Sequence, residues 1–190
     1  MTKTKIYIIP GLGESTRMIN YREIIKSFKK EGFEIVPINI TWSTDMSMGD
    51  YINQANKQIP NLSDNDYIMG FSFGAYIASI LSKKKKVKGF IFCSLSPYFK
   101  ENLKYIPKES VEYFGKKMID SFKRYSFPAV SKSKAWFMVG EKDWPLAIKG
   151  AEKSFNKWKG EKELIIVKKA GHELKHSNYI KEMKKIIKKL

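Results

Sequence analysis

The sequence predicts an α/β fold, a mostly parallel sheet of six strands with helices on both faces. Three observations carry that expectation. Short apolar runs alternate with stretches of helical spacing along the chain, the order of parallel strands joined by crossover helices. The third run leads at once into a segment that is apolar almost all round, through Ala75, Tyr76, Ile77, Ala78, Ile80 and Leu81, and such a helix belongs at the centre of a fold. Pro37 lies inside the second run, and a residue with no N–H to donate places that strand at a sheet edge.

Each element follows in order. Residues 5–10 are an apolar run ended by proline and glycine, a strand signal. Ser15 stands where a helix cap is wanted, Met18, Tyr21, Ile25 and Phe28 recur at helical spacing, and Gly32 closes the helix. The second strand covers about 33–40, a polar loop 43–50, and a weaker helix about 50–59. The third strand is 66–71, its helix 73–82, and the fourth strand about 87–94. Residues 97–133 are less regular, although Val111, Phe114, Met118, Phe122 and Tyr125 keep helical spacing. The fifth strand is 135–140, followed by a helix over about 147–158 and a sixth strand at 163–168. The last helix carries Tyr179, Ile180, Met183, Ile186, Ile187 and Leu190 on one face and lysines on the other.

Composition narrows the class. The chain has 190 residues, 43% of them hydrophobic, enough for one globular domain over 1–190 with a full core. No apolar run reaches the ~20 residues that span a bilayer, and the short run near the N-terminus lacks the features of a secretory signal. Cys93 is the single cysteine, so no internal disulfide forms and a cytoplasmic location is expected. The net charge is +17. Yet only Arg17, Arg22 and Arg124 among the 36 basic residues are arginine, the residue whose planar fork reads base edges. The lysines are scattered over outer helix faces, so a solvated surface is expected and no specific nucleic-acid partner.

Chemistry belongs just past the carboxyl ends of the strands. After the third strand stands Gly70-Phe71-Ser72-Phe73-Gly74, a G-x-S-x-G turn running from strand directly into helix. A serine there sits on a sharp, strained turn that lifts its hydroxyl clear, and the glycines remove Cβ atoms where strand and helix approach. After the fifth strand come Glu141 and Asp143, and after the sixth Ala170-Gly171-His172. A nucleophile, an acid and a histidine base in that order are the components of serine acyl transfer. Asp143, before the Trp144-Pro145 turn, is preferred over Glu141 as the acid. Acyl transfer also needs two N–H donors for the oxyanion; the amides of Leu12, in the Pro10-Gly11-Leu12-Gly13 loop after the first strand, and of Phe73 are the candidates. Phe71, Tyr98, Phe99 and Trp144 are candidates for a substrate pocket.

On these residues the chain resembles a compact member of the α/β-hydrolase superfamily over nearly all of its length. The resemblance implies a single-domain α/β-hydrolase-like fold, strand order 2-1-3-4-5-6, with the second strand at the edge that Pro37 independently requires. It also implies a minimal helical cap over 97–133 in place of the large insertion common in the family, and hence an open or shallow site. Where the family often has histidine before the first oxyanion glycine, this chain has Pro10.

The expected activity is that of a serine hydrolase cleaving a small-molecule ester or thioester through an acyl-enzyme on Ser72, with Asp143 and His172 completing a triad and no cofactor or metal. Two rival readings stand beside it. One is a non-catalytic ligand-binding module on the same scaffold. The other is a zinc metallopeptidase, because His172-Glu173-Leu174-Lys175-His176 reads H-E-x-x-H; that chemistry requires both histidines on one face of a regular helix.

Overall fold

The computed structural model describes residues 3–60, 62–106, 108–128 and 131–190. Six parallel strands form one sheet: β1 (Lys5–Ile9), β2 (Glu34–Pro37), β3 (Tyr67–Phe71), β4 (Gly89–Cys93), β5 (Lys134–Gly140) and β6 (Lys162–Val167), in the order β2-β1-β3-β4-β5-β6. This is the order and the sense expected from the sequence, with β2 at an edge.

The inner strands read as unbroken apolar runs because both of their faces are covered. Side chains alternate across the pleat. Ile6, Ile8, Tyr67, Met69, Ile91, Cys93, Trp136 and Met138 face one layer, made by α1 (Ile19–Lys30) and α7 (Ser177–Ile187). Tyr7, Ile9, Ile68, Phe90, Phe92, Ala135 and Phe137 face the other, which includes α2 (Met48–Lys57) and α3 (Phe73–Leu81). All nine residues of α3 are buried, as its all-round apolar pattern predicts. The remaining helix of this side, α6 (Pro145–Lys157), starts with proline at its first position, where the missing N–H costs nothing.

Several boundaries differ from expectation for physical reasons. Ser15 does not cap α1: Ser15 to Met18 close a separate turn, Met18 N–H donating to Ser15 O at 3.1 Å. The helix begins at Ile19 and buries Tyr21, Ile24, Ser27 and Phe28, leaving Met18 exposed. β2 ends at Pro37. Beyond it, Asn39 and Thr41 donate to the side-chain oxygens of Gln58 (2.9 Å) and Gln54 (2.8 Å), which replace the missing neighbour strand. The cap region 97–133 folds as a 3-10 helix (Lys100–Tyr105), α4 (Lys108–Phe114) and α5 (Lys116–Ser121); residues 107, 129 and 130 of it lie outside the described set. The helical spacing through Val111 to Tyr125 is cut at Gly115, which takes φ 77° as the N-cap of α5, a conformation that favours glycine.

Candidate active site

Ser72 occupies the turn between β3 and α3 with φ 53° and ψ −119°. A non-glycine residue at positive φ costs energy and persists only where its surroundings over-determine it. Here the constraints are visible. Ser72 N–H donates to Cys93 O at 2.8 Å. A Cβ on Gly70 would strike the backbone of Ala75, and one on Gly74 would strike the carbonyl oxygens of Ile9 and Pro10. Both glycines of the motif are therefore demanded by close backbone approach, and the approach holds the serine against the loop after β1.

Asp143 and His172 arrive from the ends of β5 and β6 on loops stitched together. Lys142 N–H donates to Ala170 O at 2.8 Å, and a Cβ on Gly140 would collide with Ala170 O and Gly171 O. The imidazole reaches Ser72 Oγ with Nε2 at 2.9 Å and Asp143 Oδ1 with Nδ1 at 2.8 Å. Asp143 Oδ1 also accepts Trp144 N–H at 2.7 Å, and the carboxylate side chain is fully buried. Burial pushes its carboxyl up, but the hydrogen bond from His172 leads the opposing effects and the net pKa falls below 3.8. The rival acid, Glu141, points elsewhere: it accepts Lys169 N–H at 2.9 Å and pairs with Lys168 Nζ at 2.8 Å.

The His172 ring is held between two aromatic side chains. Trp144 stacks on it, centroids 4.2 Å apart and planes at 11°, and Phe71 lies 4.9 Å away on a tilt of 42°. Both residues were expected as pocket walls, and both border the cavity, but their nearest aromatic partner is the imidazole. Beside Ser72 opens a cavity of about 940 Å³. Leu12, Phe73, Tyr98 and Phe99 line it, and Ile106, Tyr113 and Phe114 from the 97–133 segment form further apolar wall. Residues 97–133 wall this space on one side and leave it partly open. Phe73 N–H, at the first position of α3, has no acceptor within its helix, and the Leu12 loop lies on the same cavity.

The H-E-x-x-H segment is not helical. Residues 172–175 form bend and turn, and α7 begins only at Ser177. His176 is its N-cap, Nδ1 accepting Asn178 N–H at 3.2 Å, while both nitrogens of His172 face Asp143 and Ser72. The two histidines do not share a helix face, so the geometric premise of the metallopeptidase reading fails. The reason is local: the segment must turn from the end of β6 into α7.

Sequence reasoning missed Glu14 and Tyr21. Tyr21 was read as one of the apolar positions of its helix, and it is fully buried; its hydroxyl nevertheless accepts Gly11 N–H at 2.9 Å and donates to the Glu14 carboxylate. No local motif advertises that pair.

No family model matches the chain, and no curated protein sequence matches it. Solved structures do. A hydrolase from Agrobacterium vitis described as putative superposes with a TM-score of 0.80 at 12% identity, covering 98% of this chain and 87% of its own. A monoacylglycerol lipase from Paleococcus ferrophilus gives 0.75 at 15% identity, covering 98% and 95%. Mouse alpha/beta hydrolase domain-containing protein 10 gives 0.75 at 14% identity, covering 99% and 89%. At these identities the likeness speaks for architecture, and together with the strand order it establishes that the chain has the α/β-hydrolase fold.

Proposed function

We propose that the chain is a serine hydrolase that cleaves an ester or thioester through an acyl-enzyme on Ser72. The observation that carries this reading is the continuous hydrogen-bonded line from Ser72 Oγ through His172 to the buried Asp143 carboxylate, at 2.9 and 2.8 Å, starting on a strained turn at the mouth of a cavity. A non-catalytic binding module has no use for such a line.

The roles follow from the geometry. With Asp143 Oδ1 accepting at Nδ1, the neutral imidazole presents Nε2 as a bare acceptor to the serine hydroxyl. His172 takes that proton as Ser72 Oγ bonds to the substrate carbonyl carbon. The carbonyl oxygen becomes an oxyanion, received by the N–H groups of Leu12 and Phe73. The imidazolium, stabilised by Asp143, passes its proton to the departing alkoxide or thiolate, and water releases the acyl group by the same steps. Stacking on Trp144 and the tilted contact with Phe71 keep the ring in line. The largely apolar cavity suits a bulky apolar acyl or aryl group, with Tyr98 and Phe99 among its walls. No metal or organic cofactor enters these steps.

The reading extends to the whole chain as one domain with 97–133 as its minimal cap, working in the cytoplasm on small molecules. Among the described residues no helix is long and apolar enough to cross a membrane. Turnover of aryl esters of increasing acyl length by the parent chain and by Ser72→Ala tests the proposal. The parent is expected to hydrolyse the series and the variant to be inactive while folded; equal rates would overturn it.

A further inference from the structure

The loop after β1 has a clamp beneath it. Residues 11–14 close a turn in which Glu14 N–H donates to Gly11 O at 3.0 Å, with Gly13 at φ 74°, as the third residue of a type II turn requires. Leu12 is the second residue of that turn, so its amide direction is set by how the two ends are anchored. Both ends meet at one side chain. Tyr21 Oη, on the first turn of α1 and fully buried, accepts Gly11 N–H at 2.9 Å and donates to Glu14 Oε2.

The polarity of the pair is forced. A backbone N–H can only donate, so the phenol oxygen accepts from Gly11 and its one proton is aimed at Glu14. Burial, and then the hydrogen bond to Glu14, raise the Tyr21 pKa far above 10.0, so the donor is never lost. Two more contacts hold the Glu14 end: Trp42 Nε1–H donates to Glu14 O at 3.0 Å and Asn20 Nδ2–H to Oε1 at 3.2 Å. The turn also packs closely against its surroundings, since a Cβ added at Gly11 would meet Glu14 Oε2 at 2.8 Å and Phe71 at 3.2 Å.

We propose that Tyr21 is a positioning residue for the oxyanion site, its hydroxyl fixing the 11–14 turn so that the Leu12 amide points at the oxygen of the reacting carbonyl. The proposal rests on the serine-hydrolase reading above. Tyr21 touches no substrate; it acts through the turn. Its loss therefore weakens the transition state, where the oxyanion carries charge, more than the ground state, where the same oxygen is a neutral carbonyl.

The test uses Tyr21→Phe, which deletes only the hydroxyl, and Glu14→Ala, which opens the clamp from its partly exposed end. For aryl esters, kcat of Tyr21→Phe is expected to fall by about 10²-fold, the order of loss for a misaimed donor, with KM within about twofold. Binding of an aryl trifluoromethyl ketone, whose serine adduct carries the oxyanion, weakens in step with kcat. Glu14→Ala lowers kcat in the same way, and the double variant is no worse than the worse single one, because both act through one turn. A merely structural tyrosine would lower the melting temperature and leave kcat of the folded fraction and ketone affinity unchanged, and that result overturns the proposal. Should Tyr21→Phe fold too poorly to assay, Glu14→Ala decides through a joint loss of kcat and ketone affinity at unchanged KM, since Glu14 also borders the cavity, and unchanged kcat there overturns it too. A parent chain that neither hydrolyses esters nor reacts with a fluorophosphonate removes the hydrolase reading and this assignment together. An active parent matched by both variants removes only the clamp.

Discussion

Replacing Asp143 by asparagine separates two contributions of the acid. In a serine–histidine pair the acid fixes the tautomer and stabilises the imidazolium. An asparagine that turned its NH₂ toward Nδ1 would invert the tautomer and leave a proton between His172 and Ser72. The structure opposes that rotation, because the Asp143 oxygen that meets His172 Nδ1 at 2.8 Å also accepts Trp144 N–H at 2.7 Å. An NH₂ at that place would face a second donor. The asparagine oxygen therefore stays at Nδ1, the tautomer survives, and what disappears is the charge. A carboxylate about 4 Å from the imidazolium charge is worth about 4 kcal/mol at an effective dielectric of 20, so kcat should fall by about 10³-fold. Steady-state hydrolysis of an aryl ester by Asp143→Asn measures it, with Glu141→Gln as the control, since Glu141 is occupied by Lys168 and Lys169. A loss under tenfold for Asp143→Asn, or a larger loss for Glu141→Gln, would refute the reasoning.

Two further outcomes are expected. Gly74→Ala pushes a methyl group into the carbonyl oxygens of Ile9 and Pro10; since backbone cannot step aside cheaply, denaturant unfolding should show a loss of about 1–3 kcal/mol, the range for overpacking, together with a fall in activity, and an unchanged midpoint would contradict the packing described. The Asp143 carboxyl titrates below 3.8 in the folded chain, so its ionised form adds stability above that pH and the contribution drains away as pH falls through the folded value. The stability gap between the parent and Asp143→Asn should therefore narrow once pH falls below the usual carboxylate range, about 4; a gap that goes on widening below that pH would contradict the sign.

The parts of this fold that the sequence discloses are those written in short stretches of chain. Pro37 cannot donate to a neighbour and marks the edge. The all-round apolar helix after Ser72 marks the centre. Gly70 and Gly74 mark the backbone contacts that force the serine outward. Chemistry at successive strand ends is readable because parallel strands deliver their carboxyl ends to one side of the sheet. What escapes is whatever depends on partners distant in sequence or on competition between local options. Ser15 has a good cap composition, but the separate turn from Ser15 to Met18 takes up the chain before α1 can start. Gly115 cuts a continuous helical spacing because it leaves helical dihedrals, which periodicity alone does not register. Tyr21 satisfies its helix's apolar pattern with its ring while its hydroxyl serves a loop, and the pattern records only the ring. His172 and His176 have metal-ligand spacing only if the segment is helical, and the short link from β6 into α7 decides otherwise.

The central claim, that Ser72 is an activated nucleophile, is tested most directly by treating the chain with a fluorophosphonate and locating the adduct by peptide mass mapping. Ser72 Oγ should displace fluoride to give one adduct per chain, on Ser72 alone, with none formed on Ser72→Ala. No adduct, or an adduct on another residue with Ser72→Ala still hydrolysing esters at the parent rate, would contradict the account.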